Sequence, residues 1–345
     1  MQNEGIVELR PPSIEGASAG QSLLGPNSRS KPGLDELDRT LIALLLEDGR
    51  MSNRELASAA GTTNVTAGAR IKRLVNDRVL IFTALFDWEA AGYEWFVIAK
   101  INVEGRPPRE VADDLAKLPG CEAVAIVFGD VDVLAYFVMR DRAELHQLIA
   151  EELASIPGIS SMKMDLSTES TVTSLGRQFF LARNAPSIRL PDPVIDLDEL
   201  DASIMQELLC DGRQSSRSIA RQLDVSEGTV RARIQRLTGS GLMRIVAMVE
   251  PLALGMIGVI ASIGLRVDRD AVATVASAVR KLPQTIFLAV TVGSVDISVA
   301  IAAKDQDDML ETVLSQLRTL QGVRSTETLQ MIDVVRFAPY MKRLN

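Results

Sequence analysis

One histidine, two cysteines and 4% aromatic residues leave this 345-residue chain short of the material from which metal sites, disulfide frameworks and His-based catalytic triads are made. Cys121 and Cys210 form neither a zinc spacing nor a disulfide framework, which fits a reducing cytoplasm. The longest apolar stretch, near Leu252–Leu265, is shorter than the roughly 20 residues that span a bilayer. Met1–Arg10 is polar and acidic and lacks the basic-then-apolar pattern of a signal peptide. The expectation is a cytoplasmic protein with no membrane segment, no cofactor, no metal site and no catalytic residues. A net charge of −8 argues against a nonspecific nucleic-acid coat. It leaves room for a local cationic face, because an acidic second domain hides such a face in the average.

What the chain does have is a long internal repeat. Leu34-Asp35-Glu36-Leu37-Asp38 recurs as Leu197-Asp198-Glu199-Leu200-Asp201, and Asp48-Gly49-Arg50 as Asp211-Gly212-Arg213. Arg73-Leu74 recurs as Arg236-Leu237, and Gly92 as Gly255. After one inserted residue, Lys117-Leu118-Pro119 matches Lys281-Leu282-Pro283, and Gly129-x-x-Asp132 matches Gly293-x-x-Asp296. One register held over so long a span indicates a tandem duplication. Residues 1–33, rich in Gly, Ser and Pro without apolar periodicity, read as a disordered N-terminal arm. Residues 173–196 read as a linker, briefly helical over 178–183 and then extended around Pro186, Pro191 and Pro193. Residues 337–345 form a C-terminal tail.

Each copy opens with three short helices. In the first, Leu37, Leu41, Leu44 and Leu45 lie at helical spacing, and Asp48-Gly49 ends the helix. A second helix covers 54–60, and a third starts at a Thr62/Thr63 cap with Ala67, Ile71 and Leu74 on one face. The second copy repeats this with Leu200–Leu209, Arg217–Leu223 and a Ser226-capped helix carrying Val230, Ile234 and Leu237. This is the helix-turn-helix pattern, with heads at 34–88 and 197–251. The third helix is locally cationic: residues 63–74 hold three bases and no acid, and 226–237 hold three Arg and one Glu. The candidate DNA contacts are Thr66, Arg70, Lys72 and Arg73 in head one. In head two they are Ser226, Thr229, Arg231, Arg233, Gln235 and Arg236. Arg bonds guanine bidentately, Gln pairs with adenine, and hydroxyls at a helix start reach phosphates. Gly68 stands where the second copy has Arg231, so the second head is expected to supply more of the affinity.

Each head is followed by a β-rich run, 79–88 and 242–249, and then by strand, helix, strand, strand, helix, strand. The fold class is α+β: two helix-turn-helix heads and two ferredoxin-like βαββαβ sensor domains, at 93–172 and 256–336.

A head reading Leu-Asp-x-x-Asp, Asp-Gly-Arg and Arg-Ile-x-Arg-Leu, followed by βαββαβ with Gly-x-x-Asp in its hairpin, resembles the Lrp/AsnC (leucine-responsive, feast/famine) transcription regulators, here in duplicated form. The resemblance covers nearly all of residues 34–336. It implies sensor domains that pair through their sheets. It also implies a small effector, typically an amino acid, near Gly129, Asp132, Gly293 and Asp296. A Gly admits backbone N–H groups close to a carboxylate, and an Asp answers an ammonium. Gly and Asp are also the residues an ordinary hairpin turn prefers. With two heads on one chain, the expected arrangement is an intrachain pseudo-dimer on double-stranded DNA. It would read an imperfect palindrome with half-sites whole helical turns apart, and its outer sensor faces are available for higher oligomers. Two other readings share this fold. One is an enzyme resembling siroheme decarboxylases, whose His and Arg are missing from the equivalent segment Phe82–Trp88. The other is an architectural DNA binder that needs no ligand.

Overall fold

A computed structural model describes residues 6–12, 33–179, 186–251 and 254–344. Head one is α1 (Glu36–Glu47), α2 (Asn53–Ala59) and α3 (Asn64–Asn76). Each helix start has its own cap. Asp35 accepts from the Asp38 N–H and Asp38 answers the Asp35 N–H, while Ser52 and Thr63 cap α2 and α3. Ala67, Ile71 and Leu74 are buried against Leu41, Leu45 and Leu56, as the spacing predicts.

The chain then forms a strand that follows the head, a four-stranded sensor and a connector, and repeats. Strand β2 (Leu80–Asp87) leads to β3 (Trp95–Val103), α4 (Pro108–Leu115), β4 (Cys121–Phe128), β5 (Val133–Met139), α5 (Arg142–Gln147) and β6 (Ile159–Val172). A short α6 (Ser174–Arg177) and β7 (Ile188–Leu190) lie in the connector. The second copy supplies α7 (Glu199–Cys210), α8 (Ser216–Gln222), α9 (Glu227–Gly239), β8 (Met243–Val249), β9 (Val259–Val267), α10 (Val272–Arg280), β10 (Thr285–Val292), β11 (Ile297–Ala303), α11 (Gln306–Glu311), β12 (Val323–Phe337) and β13 (Met341–Lys342).

One part of the sequence reading needs correction. Residues 7–9 of the expected disordered arm form a strand, β1 (Val7–Leu9), paired antiparallel with β7. Leu9 is buried, and Arg10 exchanges two hydrogen bonds with Gln206 of α7. Three residues are too few to show a period, and the partner strand lies some 180 positions away. Residues 13–32 of that arm, and most of the helix expected over 178–183, fall outside the described residues. The tail likewise carries β13, which runs parallel to β2. Arg343 and the Leu344 N–H close onto the buried Asp87.

The two sensor sheets have the orders β4-β5-β3-β6 and β10-β11-β9-β12 and join edge to edge into one closed eight-stranded barrel. The long strands make the closure. The first half of β6 pairs with β3 of its own sensor and the second half with β10 of the other. In the same way β12 pairs first with β9 and then with β4. Every edge of the two sensor sheets that would otherwise template aggregation is thereby paired. Alternation along β3 puts Val97, Ala99 and Ile101 under the outer helices and Phe96 and Ile98 inside the barrel.

The heads are coupled crosswise. β2 and β8 pair antiparallel, and each head packs on the strand that follows the other head. The Asp-Gly-Arg repeat therefore does more than end a helix. A Cβ on Gly49 would stand 2.7 Å from the Ala247 amide nitrogen, and one on Gly212 would stand 2.7 Å from that of Thr83. Gly212 N–H donates to the Phe82 carbonyl, and Thr83 Oγ1 donates to the Leu209 carbonyl.

Candidate nucleic-acid interface and sensor sites

On the third helix of each head, the cationic residues divide into two groups. Arg70 donates to Asp35 at 2.5 Å and to the fully buried Asp38, and Arg73 also bonds Asp38. In head two, Arg233 holds Asp198 at 2.6 Å and Asp201 at 2.9 Å, and Arg236 bonds Asp201 and the Asp196 carbonyl. The repeated Leu-Asp-x-Leu-Asp thus supplies a cap with its first acid and an arginine anchor with its second. The Asp38 amide and Arg70 hold the Asp35 carboxyl below the usual carboxylate range. The Asp201 amide and, more weakly, Arg233 do the same for Asp198, against a partial rise from burial.

These four arginines were expected at the DNA face. They are between about a third and a half exposed and tie the third helix to the first within each head. The cations turned fully outward are Lys72 in α3, for which the described residues show no ion pair, and Arg231 in α9, which makes only an exposed i,i+4 pair with Glu227. Gln235 is exposed beside it. Thr66 and Thr229 stand in the first turns, where their hydroxyls meet those of the capping Thr63 and Ser226. Val65, at the start of α3, is among the most exposed apolar side chains described. Such a group suits a thymine methyl. Gly68 faces Asn53 of α2, whose Nδ2 would lie 3.1 Å from an added Cβ. Sequence reasoning passed over Arg54, Arg217 and Arg221. They are exposed on the helix preceding the recognition helix, where a helix-turn-helix crosses the phosphate backbone. Bases on that helix were the available signal.

The Gly-x-x-Asp hairpins occupy the seam between the copies. Gly129 lies against Thr328 and Leu329, and Gly293 against Met164 and Asp165, in each case too close for a Cβ. Both glycines have positive φ. Asp132 accepts the Val103 N–H and Asp296 the Val267 N–H, each at 2.8 Å, so each carboxylate buttresses the neighbouring strand of its own sensor. The two seams differ in chemistry. Beneath the second hairpin, the buried Lys100 bonds Glu327 and Ser294, and Ser294 bonds Asp165. At the pseudo-equivalent place of the first hairpin stand Gly264 and Leu329.

Two three-helix heads on one body, each with a locally cationic third helix and its own βαββαβ domain, define a DNA-binding regulator of the helix-turn-helix class. The AsnC-type helix-turn-helix domain matches residues 34–75 and 197–238, and the Lrp/AsnC ligand binding domain matches 97–175 and 260–338. The chain belongs to the Lrp/AsnC family of DNA-binding transcriptional regulators. An HTH-type transcriptional regulator of Pyrococcus abyssi is 38% identical over 139 residues, covering 40% of this chain and 88% of that protein. The HTH-type transcriptional regulator FL11 of Pyrococcus horikoshii is 33% identical over 127 residues, covering 36% and 83%. Each relative is thus matched by about two fifths of this chain, in keeping with two units here. The crystal structure of the siroheme decarboxylase NirDL superposes with a TM-score of 0.62 over 90% of this chain and 94% of that one, at 14% identity. That likeness concerns the fold alone.

Proposed function

We propose that this protein is a cytoplasmic, non-enzymatic regulator in which a single chain does the work of a dimer. Its two heads grip successive major grooves of an imperfect palindrome, and a small metabolite, with an amino acid as first candidate, tunes the grip from the sensor seams. The observation that carries the reading is the crosswise coupling of heads and barrel. Each head rests on the strand leaving the other head, so a shift at the seam between the sensors moves both recognition helices together. In this reading Lys72 and Val65 on one side, and Arg231 and Gln235 on the other, read bases. Arg54, Arg217 and Arg221 hold phosphates. Because the heads differ, the operator is expected to be asymmetric, with the second half-site bound more tightly.

The enzyme reading has less support. The curated relatives are named as transcriptional regulators. Among the described residues, the apolar cavity of the barrel is lined by neither His nor Arg, and its one lining cation, Lys342, is taken up by backbone carbonyls, whereas a polycarboxylate tetrapyrrole needs several free cations.

The test is a titration of duplexes taken from upstream of the gene against random duplex, with and without each amino acid. A preferred site with half-sites about one helical turn apart, shifted in affinity by at least one amino acid, is the expected result. Equal affinity for all duplexes would end the regulator proposal. A specific site unmoved by any metabolite would favour the ligand-independent architectural reading.

A further inference from the structure

The inside of the barrel holds a cavity of about 150 Å3. Its walls come from both copies. Trp88, Phe96 and Tyr136 of the first face Ile260, Phe287, Met331 and Val334 of the second. Four of these rings form a cluster. Trp88 stacks on Phe96 at 4.9 Å between centroids, and Phe287 stands 5.2 Å from Phe96 and 6.4 Å from Tyr136.

Two polar groups meet in the wall of this cavity. Glu122 Oε2 and Trp88 Nε1 are shut off from solvent, and the indole N–H is turned toward the carboxyl without reaching good hydrogen-bond geometry, so neither is fully satisfied among the described residues. Buried polar atoms left unsatisfied are rare and costly, and in a cavity they mark the place of an absent partner. Burial pushes the Glu122 carboxyl up to about 8. The charge of Arg336 and the Trp88 indole N–H turned toward it pull it back only in part.

The cations near the cavity are already engaged. Lys342 Nζ donates to the carbonyls of Gly176, Arg177 and Phe179. Arg336 donates to those of Cys121 and Ala116. Tyr136 points its hydroxyl at Ser262. The site therefore offers one carboxyl, one indole N–H and an aromatic wall, with no free cation to receive a carboxylate.

We propose that this cavity binds a small monocationic amine, its ammonium on Glu122 and its hydrocarbon body among Trp88, Phe96, Tyr136 and Phe287. An ammonium beside a carboxylate and over aromatic faces is a favourable arrangement out of water. A dry cavity on the order of 150 Å3 accommodates a body of about benzene size. A zwitterionic amino acid fits poorly, because its carboxylate would be buried unpaired. The site is separate from the Gly-x-x-Asp hairpins and stands whether or not an amino acid acts there.

The experiment is a calorimetric and thermal-shift titration of the full chain with benzylamine, with toluene and L-phenylalanine alongside. Benzylamine is expected to bind, raise the melting temperature and change tryptophan fluorescence. Glu122→Gln should weaken benzylamine at least tenfold and leave toluene unchanged. Ala300→Leu, which fills the cavity from β11, should abolish both and keeps the test intact if the first variant misfolds. L-phenylalanine should not compete with benzylamine. The proposal is overturned if wild type does not bind benzylamine, if a folded Glu122→Gln binds it equally, or if Ala300→Leu leaves binding intact.

Discussion

Arg233 and Asp201, 32 positions apart, meet at 2.9 Å in the second head, and the corresponding Arg70 and Asp38 meet at 3.2 Å in the first. In each case the aspartate is wholly buried and the arginine about a third exposed. The pair locks the recognition helix onto the first helix, and a second arginine, Arg236 or Arg73, bonds the same carboxylate.

Removing that carboxylate leaves Arg233 with Asp198 alone and Arg236 with only the Asp196 carbonyl. Asp201→Ala should destabilise head two by roughly 2 kcal/mol, below the usual cost of breaking a fully buried pair because the arginines are partly solvated. Arg233→Lys should cost less. Thermal melts followed by circular dichroism read both, and an unchanged melt for Asp201→Ala would show that the network does not hold the helix.

DNA contacts should follow the side chains that are free to make them. Arg231→Ala is expected to weaken operator binding more than Lys72→Ala, by about 1–3 kcal/mol if Arg231 reads a base. Arg217→Ala with Arg221→Ala should weaken all sequences alike and reduce the salt slope by about 2. Arg73 and Arg236 make poor reporters, since their loss disturbs the head itself. Gel-shift titrations at several salt concentrations decide it, and a larger loss for Lys72→Ala would reverse the assigned ranking of the heads.

Gly49 and Gly212 test the crosswise packing. A methyl at either would press on the backbone of the opposite strand at 2.7 Å. Alanine there should cost about 1–3 kcal/mol and speed proteolysis between head and barrel. Wild-type melting and cleavage rates in both variants would mean that the heads do not rest on those strands.

Glu122 gives a pH signature. Its carboxyl is raised from 4.5 to about 8 in the folded protein. Between those values the folded state keeps a proton that the unfolded chain has released, so this group's contribution to stability is full below about 4.5 and falls as pH rises toward 8. Glu122→Gln cannot ionise. Its melting temperature should decline less than wild type between pH 5 and 8, and parallel profiles would contradict the raised value.

The duplication, the three-helix heads and the βαββαβ order were legible in the sequence because each rests on local signals. These are apolar residues at helical or alternating spacing, caps at helix starts, and glycines at turns, all written twice in one register. Periodicity shows that a face is buried and leaves open what buries it. The closing of two sheets into one barrel joins β6 to β10 and β12 to β4, more than a hundred positions apart, and only the folded chain sets those registers. The same holds for the arginines. As residues on a helix they look outward, and only packing α3 on α1 and α9 on α7 turns Arg70, Arg73, Arg233 and Arg236 toward aspartates. The cavity with Glu122 was the least legible, because its walls come from strands of both copies and a carboxyl reads as shut in beside an aromatic wall only once every neighbour is in place.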